Sequence, residues 1–186
     1  IIITDNNITV RGGGTTQAVW GIENGAGNSN ASNTVTITNN VVTGNYASAT
    51  SGLINAIFNN SASTNLNINV NTVQNFTLPG TGAFVAVNNN TANINTNISD
   101  NFVINNTITS TGAMTGVGTA AGSTNVTMSG NTISGNNKTQ AATGTSTLLL
   151  NANATGGTAT INFNTITNNT FIGPTVNYEL AAINIG

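Results

Sequence analysis

The chain has no cysteine and no histidine among its 186 residues, and only six side chains carry formal charge: Asp5, Arg11, Glu23, Asp100, Lys138 and Glu179. Thiol nucleophiles, histidine bases, Cys/His zinc sites and disulfides are therefore excluded together. Two basic residues cannot neutralise a row of phosphates, so nucleic acid is not expected as a partner. No apolar run approaches the ~20 residues of a membrane-spanning helix, and no membrane span is expected. Proline is confined to Pro79 and Pro174. Beyond phenylalanine, the aromatics that could stack on a sugar ring are Trp20, Tyr46 and Tyr178, scattered along the chain.

Amide and hydroxyl groups take the place of charge. Asparagine occurs 38 times and threonine 34 times. Polar bias of this kind often marks disorder, but Ile, Val, Leu and Phe together number 45, above the ~20% below which a chain cannot bury enough apolar surface. The eleven N-x-[S/T] sequons are close to what so much Asn, Thr and Ser yields by chance, and signal no glycosylation.

A fixed internal repeat carries the fold. The block I-x-x-N-x-[I/V] occurs from Ile3 to Ile8, Ile37 to Val42, Ile68 to Val73, Ile98 to Val103, Met128 (for Ile) to Ile133, and Ile161 to Ile166. Its central asparagines are Asn6, Asn40, Asn71, Asn101, Asn131 and Asn164, spaced 34, 31, 30, 30 and 33 residues apart. Four residues after each Asn stand Val10, Gly44, Asn75, Asn105, Gly135 and Asn168, mostly the two residue types that accept left-handed backbone at least cost. A bend is expected there in every unit. A second apolar alignment follows at Ile22, Ile57, Val87, Val117, Leu150 and Ile183. Alternation is of period two, as in Thr34 to Thr38, and no segment sustains a helical period. Each unit reads as three short strands, with length variation collected in Gly/Ser/Thr/Asn loops.

A three-strand unit of 30 to 34 residues with its apolar face in register resembles the right-handed parallel β-helix, the pectin-lyase-like solenoid. The resemblance covers essentially the whole chain. It implies an all-β fold of about six coils, formed by residues 1–186 as a single segment of a longer solenoid or of a stack joined end to end. Stacked ~4.8 Å apart, the six block asparagines would form an interior ladder of side-chain amides.

Enzymes of this family work with clustered acids and an Arg or Lys, and such a cluster is missing here. Asp5 and Asp100 lie three blocks apart, ~14 Å at the strand spacing. No catalytic residue, metal ligand or cofactor is therefore expected, calcium included, since that ion usually takes more than one carboxylate. The outward positions of the block's first strand form the candidate binding face: Thr34, Thr36, Thr38, Asn65, Asn67, Asn69, Asn95, Asn97, Ser99, Asn125, Thr127, Ser129, Thr158, Thr160 and Asn162. This flat uncharged array is similar to the surface of β-solenoid ice-binding proteins. Thr and Asn also serve simply to keep a parallel sheet soluble without charge.

The charge-poor, Thr/Asn-rich composition resembles passengers of bacterial surface proteins, namely adhesins, autotransporter-type stalks and extracellular filaments. On that resemblance the chain is expected at the cell surface or outside the cell, as a rigid spacer whose partner is itself. Ice or glycan binding by the flat face is the alternative. Ile1 and Ile3 stand in the register of Val35 and Ile37, so the chain is expected to start within a coil, with bare edges that would pair with further coils or with an identical neighbour.

Overall fold

The computed structural model describes residues 1–12, 15–26, 33–46, 48, 50–120, 122–139, 146–173 and 179–186, and contains no helix among them. The chain winds as an all-β, parallel solenoid of about five turns with three sheets. The first sheet stacks Ile2–Thr4, Thr34–Thr38, Asn65–Asn69, Asn95–Ser99, Asn125–Ser129 and Ala159–Asn162, all parallel. The third stacks Val19–Asn24, Ile54–Asn59, Phe84–Asn89, Met114–Thr119, Ser146–Ala152 and Glu179–Ile185. Between them the second sheet begins with the strands Asn7–Gly12, Val41–Tyr46 and Thr72–Leu78, the last bent at Asn75 where its register against Val41–Tyr46 shifts, then continues as pairs of short strands.

Register follows the repeat. Ile3, Ile37, Ile68, Ile98, Met128 and Ile161 form one interior column, and Ile22, Ile57, Val87, Val117, Leu150 and Ile183 another. Period-two alternation produces this result because a one-residue slip would turn every apolar side chain of a strand to water. The residue before Val117 in the second column is glycine for a local reason. A Cβ on Gly116 would stand 2.6 Å from the main-chain oxygen of Leu149, so close strand approach excludes a side chain there.

The bends are better defined than the repeat suggested. Asn75, Asn105, Gly135 and Asn168 have φ between 54° and 67°, as expected. Val10 and Gly44 do not bend; they lie inside continuous strands, a correction to the sequence reading. Gly44 has a different duty: the Phe76 ring fills the space where its Cβ would be, at 2.2 Å. A second left-handed position, unnoticed in the sequence, immediately precedes every block asparagine: Asp5, Asn39, Val70, Asp100, Gly130 and Phe163, with φ between 54° and 68°. Val70 and Phe163 adopt it against the steric preference of bulky L-residues.

Candidate functional site

The block asparagines form the expected ladder at the corner between the first and second sheets. The side chains of Asn40, Asn71, Asn101 and Asn131 are essentially inaccessible to water. The interior rungs use both the amide oxygen and the amide nitrogen. In Asn71, the main-chain N–H and Nδ2 both donate to Asn101 Oδ1 at 3.0 Å, and Nδ2 also donates to the carbonyls of Ile37 and Asn69. The pattern repeats from Asn6 to Asn164, with donation to the neighbouring rung's Oδ1 always toward the higher-numbered coil and, from Asn40 onward, an Nδ2 bond back to a carbonyl of the preceding coil. A left-handed residue just before each rung turns the side chain inward, so the bend and the ladder are one device. This buried chain of amides satisfies groups that would otherwise be costly to bury.

Two further ladders were missed in the sequence. Asn106, Asn136 and Asn169 form one at the bend within the second sheet, and it starts at the main-chain N–H of Phe76, which donates to Asn106 Oδ1 at 3.0 Å. Asn24, Asn59 and Asn89 form the other at the end of the third sheet, with Nδ2 to Oδ1 distances of 2.7 and 2.8 Å. Their signal was available: each Asn of the second ladder follows a bend residue by one position, the same relation seen in the block.

The fifteen candidate face residues occupy the outward side of the first sheet. Registers place Thr36, Asn67, Asn97, Thr127 and Thr160 in one column, and Thr38, Asn69, Ser99, Ser129 and Asn162 in another. The face is less available than an open array. Ser99 is buried, its hydroxyl donating to Asn97, while its main-chain N–H donates to Asn69 Oδ1 at 3.2 Å. Asn65, Asn95 and Asn125 form a surface ladder, with Asn95 donating to Asn65 at 2.9 Å and Asn125 to Asn95 at 3.0 Å. Thr158 caps it by donating its N–H to Asn125 Oδ1. Chemically the surface is a regular, uncharged grid of donors and acceptors, many already engaged with one another.

The charged residues do not converge. Asp5 and Asp100 stand in the same corner column three coils apart, through Asn39 and Val70. Asp5 accepts from the Thr4 hydroxyl at 2.8 Å and from the Asn39 amide, and these bonds hold its carboxyl below the usual range. It is a poor proton donor. Among the described residues no group of three acidic side chains could hold a metal ion.

Lys138, read in the sequence only as a charge, proves to be a core residue. It stands inward between Ile108 and Phe171, fully buried, and its ammonium donates to the main-chain oxygen of Ser110. Burial lowers its pKa from 10.5 to about 8. The Ser110 hydroxyl is buried nearby with no partner. Tyr46 is likewise interior, its hydroxyl unpaired and its pKa raised by burial, which removes it as a sugar platform. Trp20 remains partly exposed against Phe58, with ring centroids 6.2 Å apart, and Tyr178 lies outside the described residues. Of the phenylalanines, Phe76 and Phe84 pack in the core 5.0 Å apart, whereas Phe102 and Phe163 face outward.

Compared with known proteins, the chain matches no family model, no curated protein and no solved structure.

Proposed function

We propose that this chain is a structural, non-catalytic β-solenoid of the pectin-lyase-like type, a rigid stalk or filament segment of an extracellular, adhesin-like surface protein that assembles through its ends. The observation that supports this reading most is the single register running through all coils. The Asn6 to Asn164 ladder and the strand pairing of the first and third sheets continue without interruption to both terminal coils. A body held together by backbone and amide ladders along one axis resists extension along that axis, which suits a spacer. The scattered acids and the tied-back Asp5 carboxyl support the absence of catalysis.

Electron microscopy and fibre diffraction of the purified chain test the reading. Filaments with a ~4.8 Å axial repeat are expected. A stable monomer without filaments, or cleavage of a polysaccharide by the chain, would overturn it.

A second reading, ice or glycan binding, draws on the flat column of Thr36, Asn67, Asn97, Thr127 and Thr160. Thermal hysteresis that is abolished by Thr127→Tyr would favour it over the structural role.

A further inference from the structure

The second sheet changes width once. Coils one and two carry a single residue, Val10 or Gly44, between the outward pairs Thr9 and Arg11 or Thr43 and Asn45. Every later coil carries two at that place, beginning with Asn75 and Phe76, and the register against Val41–Tyr46 shifts there. Phe76 turns inward against Gly44, whereas Asn75, at φ 57°, stands exposed. The outer face therefore has a step between the second and third coils, as a bulge produces when it re-aims side chains. At the step lies an open depression of about 240 Å³, lined by Thr9, Arg11, Thr43, Gly44, Asn45 and Asn75.

The polar side chains around it are unengaged, unlike those of the neighbouring sheet. There Asn65, Asn95 and Asn125 bond to one another. Asn45 instead stands between Arg11 and Thr77 in its column, so no amide lies above or below it. Among the described residues the side chains of Arg11, Asn45 and Asn75 make no hydrogen bond or ion pair. The Thr43 hydroxyl donates to the Thr9 hydroxyl at 3.2 Å, which places two hydroxyls side by side on one wall. Arg11 is the only cationic side chain at the surface, because Lys138 is buried, and no carboxylate lines the depression.

We infer that this depression binds a small carboxylate that also carries hydroxyl groups. The guanidinium fork presents two parallel N–H groups that match the two oxygens of a carboxylate. Asn amides and Thr hydroxyls both donate and accept, as the hydroxyl groups of such a ligand require. The volume falls below the ~300 Å³ at which pockets for drug-sized molecules begin, so the ligand is a single small acid. The walls are the lateral faces of three stacked coils, and the site is independent of the assembly reading above.

Amide NMR of the whole chain, titrated separately with gluconate, acetate, glucose and inorganic sulfate, tests the site. Gluconate should shift the amides of Thr43, Gly44, Asn45 and Asn75 with a Kd in the millimolar range. Acetate and glucose, each supplying half of the recognition, should bind ~10-fold more weakly or less. Arg11→Gln should weaken gluconate by ~10- to 100-fold through loss of charge-assisted hydrogen bonds. Arg11→Lys keeps the charge without the fork and should restore only part of the affinity. A relocated arginine separates a built site from a loose charge. In Arg11→Gln/Thr107→Arg the guanidinium stands in the same outward column beyond the step, and gluconate should stay weak. Equal binding by the relocated arginine, sulfate binding as tight as that of gluconate, or unmoved amides at the step in the presence of gluconate would each overturn the inference.

Discussion

Replacing Asn101 with leucine removes a rung from the middle of the longest ladder. Asn101 Oδ1 accepts from the main-chain N–H of Asn71 and from Asn71 Nδ2, and its own Nδ2 donates to the Ile68 carbonyl at 2.8 Å and to Asn131 Oδ1 at 3.0 Å. Leucine leaves the buried main-chain N–H of Asn71 without its acceptor and the Ile68 carbonyl without its side-chain donor, while Asn71 Nδ2 keeps the carbonyls of Ile37 and Asn69. Each orphaned group costs about 1–3 kcal/mol, and the apolar side chain returns roughly 1 kcal/mol through its own burial. The net loss should be about 3 kcal/mol, a fall in Tm of roughly 6–12 °C for a chain of this size. Asn95→Leu supplies the contrast, because it interrupts the exposed ladder between Asn65 and Asn125, where water replaces the lost partners. Its effect should stay within about 0.5 kcal/mol. Asn101→Asp separates the acceptor from the donor role: it keeps an acceptor for Asn71 but turns a carboxylate oxygen toward the Ile68 carbonyl and Asn131 Oδ1. Burial and these acceptors raise its pKa above the unfolded value. The folded state then binds more protons, so stability should recover as pH falls through the raised pKa. Thermal and urea unfolding followed by circular dichroism measures all three. Equal Tm losses for Asn101→Leu and Asn95→Leu, or an unchanged Tm for Asn101→Leu, would show that the ladder contributes nothing specific.

Other expectations follow from single residues. Lys138 has a folded pKa near 8 against an unfolded value of 10.5, so the unfolded state binds more protons between those values and stability should rise with pH across that window. Lys138→Met should flatten that slope and stabilise the protein at pH 7 by about 1–2 kcal/mol, after allowing for the Ser110 carbonyl left unpaired; urea unfolding at pH 7 and pH 10 checks both. Val70→Asn relieves a β-branched residue held at φ 58° and should raise stability by about 1 kcal/mol, whereas a lowered Tm would mean that the Val70 side chain makes a contact worth more than the strain. Gly44→Ala drives a methyl group into the Phe76 ring and should cost about 1–3 kcal/mol, and adding Phe76→Leu should recover part of the loss. A double-mutant cycle with no coupling between the two would refute that packing argument.

Sequence periodicity established the three strands per coil, their registers and the longest ladder, and together with the resemblance to parallel β-helices it established the solenoid. The reason is physical: in a stack of parallel strands each residue's neighbours are its own counterparts in adjacent repeats, so a pattern in sequence is already a pattern in space. The tertiary structure decided what lies off that pattern. Only there do Val10 and Gly44 run straight where their counterparts bend, and only there does the Phe76 ring take the volume beside Gly44. Val70 and Phe163, whose residue types give no hint of left-handed backbone, are held in it by the flanking strands and the rung that follows. Lys138, a surface charge by every rule of composition, is drawn inside because its place in the second sheet falls on the column of Ile108 and Phe171. The bonds among Asn65, Asn95 and Asn125 and between Ser99 and Asn97 likewise lay beyond the sequence, since they form between side chains whose approach depends on stacking. The direction of donation along the ladder was also beyond the sequence. Twenty amino-acid letters record an amide without saying which way it points.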